Sequence, residues 1–397
     1  MGISKLSELI REAAPSAVSH KQICDYSEKK IAFDASIVLC QFRKACPDLH
    51  NRNGTPLSPL LGIFYRTLYF LENGIKPVFI FDGCPPEQKE GLIAKRAESA
   101  GYRISWPGGV STQVQNCQKL LDLLGVPYIQ APSDGEAMCA HLVKTGEVDA
   151  VASEDMDTLA FGSSLLIRQL NAKKGSDVIE YCLPKLLEVL NLTQEQFVDL
   201  CILLGCDYCE KIRGLGPKKA LTLIQQHKSI EDVLLNINRE VHPVPVSWKY
   251  HEARRIFLNP DAATVKQQTL NWKEPDEEGL VKFLAHENYV KEERIRKRME
   301  AFRKMKEEKL CKGESSDEGK YQQSAITRYF RVTRKRQVRH HKCTHLRRNQ
   351  VILKGGRQSH GSHLTLIPSV ASSHFCLLLL FHVAVCVCSF TFLTVID

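Results

Sequence analysis

The chain has 397 residues, 43% hydrophobic and 25% charged, which allows a large core and two or three domains or subdomains of ordinary soluble composition. The formal charge of +9 is unevenly placed: residues 321–397 hold eleven of the 54 Lys and Arg and one of the 45 Asp and Glu, so the first 320 residues carry 43 bases and 44 acids. Fifteen Cys without a repeating framework, and no N-terminal signal peptide, exclude a disulfide scaffold and fit a reducing intracellular compartment.

Short β-like runs alternate with helical patterns over the first 225 residues or so, the rhythm of an α/β sheet protein. "KKIAFDAS" (29–36) predicts a buried strand, "SPLLGIFYRTLYFLENG" a helix ending at Gly74, and "KPVFIFDG" (76–83) a second strand. "QNCQKLLDLLG" predicts a helix stopped by Gly125; "VPYIQAP" (126–132), "DAVAS" (149–153) and "LLIRQL" (165–170) complete the strand candidates. Residues 193–240 and 275–310 read as helical, and a charged, Ser-containing stretch after about residue 305 reads as a linker. The last apolar run, Phe375 to Ile396, is long enough to span a bilayer, but it is read in preference as sequence outside the normal reading frame or exon structure, with no membrane partner expected.

Acids recur where strands should end. "IAFDAS" closes on Asp34 and "VFIFDG" on Asp82; "YIQAPSDGEA" passes into a helix through Asp134 and Glu136; "VASEDMD" leaves a strand through Asp155 and Asp157. Open α/β sheets place their ligand crevice at such C-terminal ends, and parallel strands would gather these carboxylates along one edge. Asp207, in "LLGCDYCEKIRGLGPKKA", is a further source. Converging carboxylates repel one another unless hard cations compensate them, and Mg²⁺, which keeps waters and pairs with phosphate, fits best. Two such ions about 4 Å apart would activate a water and hold a leaving oxygen. Glu154 lies one residue before Asp155, should point the opposite way along an extended chain, and is left out. Neither a Ser–His–Asp arrangement nor a G-x-x-x-x-G-K-[ST] loop is evident, which argues against acyl transfer and NTP hydrolysis.

Basic partners follow. Lys89 and Arg96 lie two helical turns apart and could project from one face towards a scissile phosphate. "IRGLGPKKALTLIQQ" has the shape of a helix–hairpin–helix: Gly214 and Gly216 permit a tight turn, Pro217 starts a helix, and Lys218 and Lys219 add attraction for phosphate without base specificity. The lone CxxC of Cys206 and Cys209 is not read as a zinc or redox site, since no second pair lies nearby.

"MGISKLSELI", "FDAS", "FIFDG", "SEDMDTLAFGS" and "QEQFVDLCILLGCDYCEKIRGLGPKKA" together resemble the flap structure-specific endonucleases, the replicative branch of the eukaryotic 5′-nuclease family, over about residues 1–300. The resemblance implies an α/β PIN-like core with a mostly parallel twisted sheet, a helical arch and a helix–hairpin–helix region that grips DNA. It implies cleavage of 5′ flaps at the junction with duplex, with accompanying 5′–3′ exonuclease action, in DNA replication and repair. By position it makes Asp34, Asp82, Asp134, Glu136, Asp155, Asp157 and Asp207 ligands of two Mg²⁺ ions, with Mn²⁺ as a substitute. Lys89 and Arg96 become the basic pair at the arch base and Gly2 an N-terminal residue near the site; Gly2, Lys89, Arg96, Glu136, Gly214, Gly216, Lys218 and Lys219 would face DNA. "QSAITRYF" is similar to the motif that docks on the sliding clamp PCNA, through Gln323, Ile326, Tyr329 and Phe330. A nuclear location is implied, with nucleolus and mitochondrion as further compartments. The alternative is a non-catalytic or weakly active paralogue that binds DNA and clamp.

The corresponding division is a nuclease region over 1–105, a shortened arch loop over 106–115 and a second nuclease region with the hairpin over 116–225. Helical core (226–305), linker (306–320), clamp motif (321–332) and basic tail (333–397) follow. Three departures from the family stand out: Asp134 and Gly135 where Glu and Ala are common, Cys40 where a DNA-stacking tyrosine is expected, and an arch cut short around "WPGG".

Overall fold

The computed structural model describes residues 2–45, 49–52, 54, 56–99, 111–170, 177–264 and 269–313. Contacts divide the chain into Met1–Lys309 and Leu310–Asp397. Of the second unit only the end of one helix is described, so the clamp motif, the basic tail and the apolar terminus lie outside the described residues. No helix among the described residues is long and apolar enough to cross a membrane.

In chain order the elements are α1 (Leu6–Ala13), β1 (Val18–Lys21), β2 (Lys30–Asp34), α2 (Ala35–Ala45), α3 (Ser58–Glu72), β3 (Lys76–Phe81), α4 (Glu87–Ser99) and α5 (Thr112–Leu123). They continue through β4 (Tyr128–Gln130), α6 (Gly135–Lys144), β5 (Ala150–Ala152), α7 (Asp157–Ala160), β6 (Leu165–Arg168), β7 (Val178–Cys182), α8 (Leu183–Leu190) and α9 (Gln194–Leu204). The helical remainder is α10 (Pro217–His227), α11 (Ile230–Asn236), α12 (Tyr250–Leu258), α13 (Glu277–Val281), which runs into a π-helical turn, and α14 (Glu292–Gly313).

One sheet has the order β1-β7-β6-β5-β2-β3-β4. Strands β4, β3, β2, β5 and β6 are parallel, whereas β7 runs antiparallel to both β6 and β1. The five expected strands are therefore the parallel ones. The missed pair is the antiparallel edge: β1, "VSHK", is half-polar and lacks an apolar run, so only pairing with β7 makes it a strand.

The pleat sends alternate residues to opposite faces. Phe33 stacks on Phe70 of α3 and on Phe79, with centroids 4.5 and 5.5 Å apart, while Ala32, Val78 and Ile80 join the core formed with α6 and α9. Both faces are thus covered, as parallel sheets require. Asp34 shares the parity of Ala32 and so belongs to the α6 side.

The chain runs β2–β3–β4 to one side and then restarts with β5–β6 on the other, so the topological switch point lies between β2 and β5. The two expected nuclease regions contribute strands to this single sheet. Two boundaries shift. Ser111 caps α5 by accepting the Val114 N–H (3.3 Å), so the expected arch loop 106–115 overlaps the first helical turn; residues 100–110, with "WPGG", lie outside the described residues. The linker expected from residue 306 begins inside α14, because Lys, Glu and Met there favour helix and Lys304 bonds Glu300 one turn back (2.6 Å); the helix stops only at Gly313.

Candidate metal centre

Register puts the acids at one edge. Asp34, the last residue of β2, pairs with Ile80, so Asp82 stands two residues further on, just past the end of β3; Phe33 pairs with Ala152, which places Asp155 just past the end of β5. Each carboxylate is then tied down by its own loop. Asp34 Oδ1 accepts the Ile37 N–H (3.1 Å), capping α2, and Asp82 Oδ1 accepts the Gly135 N–H (2.8 Å). The loops after β3 and β4 are laced together by Gly83 N–H to the Ser133 carbonyl (2.7 Å), and a side chain at Gly83 would overlap the Ala131 carbonyl. Ser153 Oγ accepts the Asp155 N–H (3.0 Å), and Asp155 Oδ1 accepts the Asp157 N–H (3.1 Å), which folds the pair around the start of α7.

The N-terminal segment acts as a strap. Ile3 N–H donates to Asp157 Oδ1 (2.8 Å) and Ser4 N–H to the Gly205 carbonyl (3.3 Å), linking the Asp155–Asp157 turn to the loop that carries Asp207. Gly2, at φ +71°, lies so close that a Cβ would overlap both Asp155 Oδ1 and Asp157 Oδ1.

Asp34, Asp155 and Asp157 are 2%, 5% and 3% exposed, Asp134 and Glu136 are also buried, Asp207 is half-buried, and Asp82 is exposed. Burial, followed by the charge of Asp82, raises the Asp34 carboxyl well above the usual range. Burial and the charge of Asp34 do the same to Glu136, and burial with the charges of Asp155 and Asp207 to Asp157. Lys89 of α4 answers this excess directly: it donates to Asp134 Oδ1 (2.7 Å) and lies 3.8 Å from Glu136 Oε2. Burial works against its charge, yet Glu136, Asp134 and Asp82 outweigh it and raise the lysine. Arg96 sits two turns further along α4, and its side chain lies outside the described residues.

Tyr208 is a participant the sequence reading missed. Its hydroxyl donates to Asp134 Oδ2 (2.6 Å), and Lys89 Nζ stands 5.6 Å from its ring centroid. Both oxygens of Asp134 are therefore engaged by protein groups. Only adjacency to Asp207 in "CDYC" could have flagged this tyrosine. Glu154 is turned away as expected, accepting the Gln169 N–H (2.9 Å) and pairing with Arg168 at 3.4 Å.

The donors are all carboxylate oxygens, which suit a hard divalent cation. Several raised carboxyls in one place are the mark of a site that positive charge would relieve. Among the described residues no three ligand groups close on a single point. The thiols of Cys206 and Cys209 lie 3.8 Å apart, with no third metal-ligating partner among the described residues.

The hairpin makes contacts of its own. Gly214 makes the turn at φ +73°, whereas Gly216 is extended (φ −83°) at the N-cap of α10 and has open space where a side chain would be. Lys218 pairs with Glu12 of α1, and Lys219 bonds His242. Cys40 lies on α2, half-buried, with none of the stacking surface of a tyrosine.

Residues 1–101 match the XPG N-terminal domain and residues 125–207 the XPG I-region. The chain is 53% identical over 340 residues to a probable flap endonuclease 1 homolog of Danio rerio, covering 85% of this chain and 95% of that one. It is 44% identical over 322 residues to flap endonuclease 1 of Homo sapiens, covering 75% and 85%. In structure it is similar to flap endonuclease-1 from Methanococcus jannaschii, at 29% identity and a TM-score of 0.56 over 74% of this chain and 97% of that chain. Carboxylates gathered at the switch point of a largely parallel sheet, two XPG segments and these relatives lead to one conclusion: the chain belongs to the flap endonuclease family, the structure-specific nucleases that cut DNA at 5′ flaps.

Proposed function

We propose that the chain hydrolyses the phosphodiester at the junction of a 5′ flap with duplex DNA, using two Mg²⁺ ions held by Asp34, Asp82, Glu136, Asp155, Asp157 and Asp207, with Asp134 at their edge. The observation that supports this reading is that carboxylates from four strand ends lie at the switch point, Asp34, Asp155 and Asp157 among them buried, and that Lys89 pairs with Asp134 and Glu136. When bound, the cations supply an activated water and stabilise charge on the phosphoryl group. Asp34, Asp155 and Asp157 are held by backbone N–H groups, so their positions are preorganised. Lys89 keeps one bond to Asp134 and has two further N–H groups and a full charge for the scissile phosphate. Gly2, without a side chain, lets the N-terminal strap lie directly against Asp155 and Asp157. The exposed hairpin of Gly214, Gly216, Lys218 and Lys219 meets duplex phosphates without reading bases.

Single-turnover cleavage of a 5′-flap DNA under Mg²⁺ titration tests the reading. Cleavage that rises with Mg²⁺, vanishes on chelation and maps to the junction supports it. Tight flap binding with no cleavage at any Mg²⁺ or Mn²⁺ concentration would instead select the non-catalytic paralogue. The proposed setting is nuclear replication and repair, with Gln323, Ile326, Tyr329 and Phe330 docking on PCNA. Calorimetry of the clamp with a chain carrying Ala at both 329 and 330 checks that contact, since aromatic anchors dominate small interfaces.

A further inference from the structure

Lys219, exposed on the first turn of α10, does not hang free in solvent. Its Nζ lies 2.6 Å from Nε2 of His242, a residue only 4% exposed, in a loop 23 positions along the chain. The other ring nitrogen, Nδ1, is 3.3 Å from the carbonyl of Arg213 in the hairpin turn. A carbonyl can only accept, so Nδ1 carries the proton and Nε2 offers its lone pair to the ammonium. The backbone that carries the ring is held. The His242 backbone N–H donates to the Asn238 carbonyl (2.9 Å), and Asn238 Oδ1 accepts the backbone N–H groups of Glu240 and Val241 (2.9 and 3.4 Å). Gly214 leaves the space for it, since a Cβ there would stand 3.3 Å from Nδ1.

We propose that His242 is a positioning residue for DNA binding: it anchors the Lys219 ammonium at the hairpin so that its remaining N–H groups and charge are presented to a backbone phosphate. This rests on the reading of residues 214–219 as a phosphate-binding hairpin. A free lysine side chain samples many rotamers, and ordering it before binding reduces what the complex must offset. The bond uses one of three N–H donors and none of the charge.

The test is equilibrium binding of a fluorescent 5′-flap duplex to the full chain, without divalent cations, across a range of KCl concentrations. Lys219→Met should lower the salt slope by about 0.9, one phosphate contact, and weaken affinity about fivefold. His242→Leu should reproduce most of that loss, and the double variant should lose no more than Lys219→Met. His242→Gln, which keeps an acceptor within reach of the ammonium, should restore both slope and affinity. Should the leucine variant fail to fold, His242→Phe keeps the ring volume without the acceptor and carries the test. Folded His242→Leu or His242→Phe with wild-type slope and affinity, beside a weakened Lys219→Met, overturns the positioning role and leaves the hairpin reading standing. A wild-type slope for Lys219→Met itself overturns the hairpin reading and this inference together.

Discussion

Asp155, just past β5, and Asp199, on α9, are both buried carboxylates, 5% and 4% exposed, but they are surrounded in opposite ways. Asp199 receives Arg254 through both oxygens (2.7 and 2.8 Å) and the Ile230 N–H (3.1 Å), while the same guanidinium reaches both oxygens of Glu231 (2.8 and 2.9 Å). Asp155 instead sits among acids, its Oδ1 bonded to the backbone of Asp157 and its charge raising Asp34, Glu136 and Asp157. The helical flank completes its buried charge within the chain. The sheet edge leaves it in excess, and such an excess persists where a ligand is to supply the balance.

Substitutions should therefore shift stability in opposite directions in the two regions, and activity in only one of them. The largest effect is expected for Asp155→Asn, which removes a ligand charge but keeps an acceptor for the Asp157 N–H. Cleavage should fall on the order of a thousandfold, about 4 kcal/mol in the barrier, while the metal-free protein melts at a higher temperature than wild type. A variant that loses activity and also melts lower would make Asp155 a structural residue like Asp199.

Gly2→Ala comes next. Its Cβ would overlap the Asp155 and Asp157 carboxylates and its φ of +71° disfavours a side chain, so the two acids must move. A loss of cleavage of about 10² is expected, with weaker Mg²⁺ affinity measured by calorimetry. Unchanged Mg²⁺ affinity would remove Gly2 from the site.

On the other side of the comparison, Arg254→Met leaves Asp199 buried without its partner. A destabilisation of about 3 kcal/mol is expected in urea unfolding, with cleavage per folded molecule unchanged. Equal stability would show that the pair is replaceable by apolar packing.

The smallest effect concerns pH. The Arg254 guanidinium bonds Glu231 and lowers its carboxyl from 4.5 to about 2. A depressed carboxylate stabilises the fold fully above its unfolded value and loses that contribution as pH falls towards the folded one. Glu231 is 42% exposed, so solvent screening holds the contribution to about 1 kcal/mol or less. The stability gap between wild type and Glu231→Gln should be constant near neutrality and shrink progressively below pH 4.5. A gap that widens on acidification would contradict the pairing.

How much of this was legible beforehand follows from how local each cause is. The apolar runs of β2 through β6 and the acid that ends or follows four of them could be read directly, because strand burial and strand ends are written in consecutive residues. That Asp34, Asp82, Asp134, Glu136, Asp155 and Asp157 gather at the strand ends follows from the parallel pairing of those strands. Edge strand β1 could not be read in this way, since its residues are polar and its partner lies 160 positions away. Nor could the length of α14, where a charged run looked like a linker and its i,i+4 pairs made it a helix.

The sequence by itself therefore determined the fold class, the donor chemistry and the segments that bring the acids. Only the tertiary structure decided which acids are buried, that Asp82 stays exposed, that Tyr208 and Lys89 occupy both oxygens of Asp134, and that Gly2 lies against Asp155. The physical reason is range. Periodicity and capping act within a few residues, whereas these contacts join loops separated by tens to hundreds of positions, and their geometry exists only after the sheet has brought the loops together.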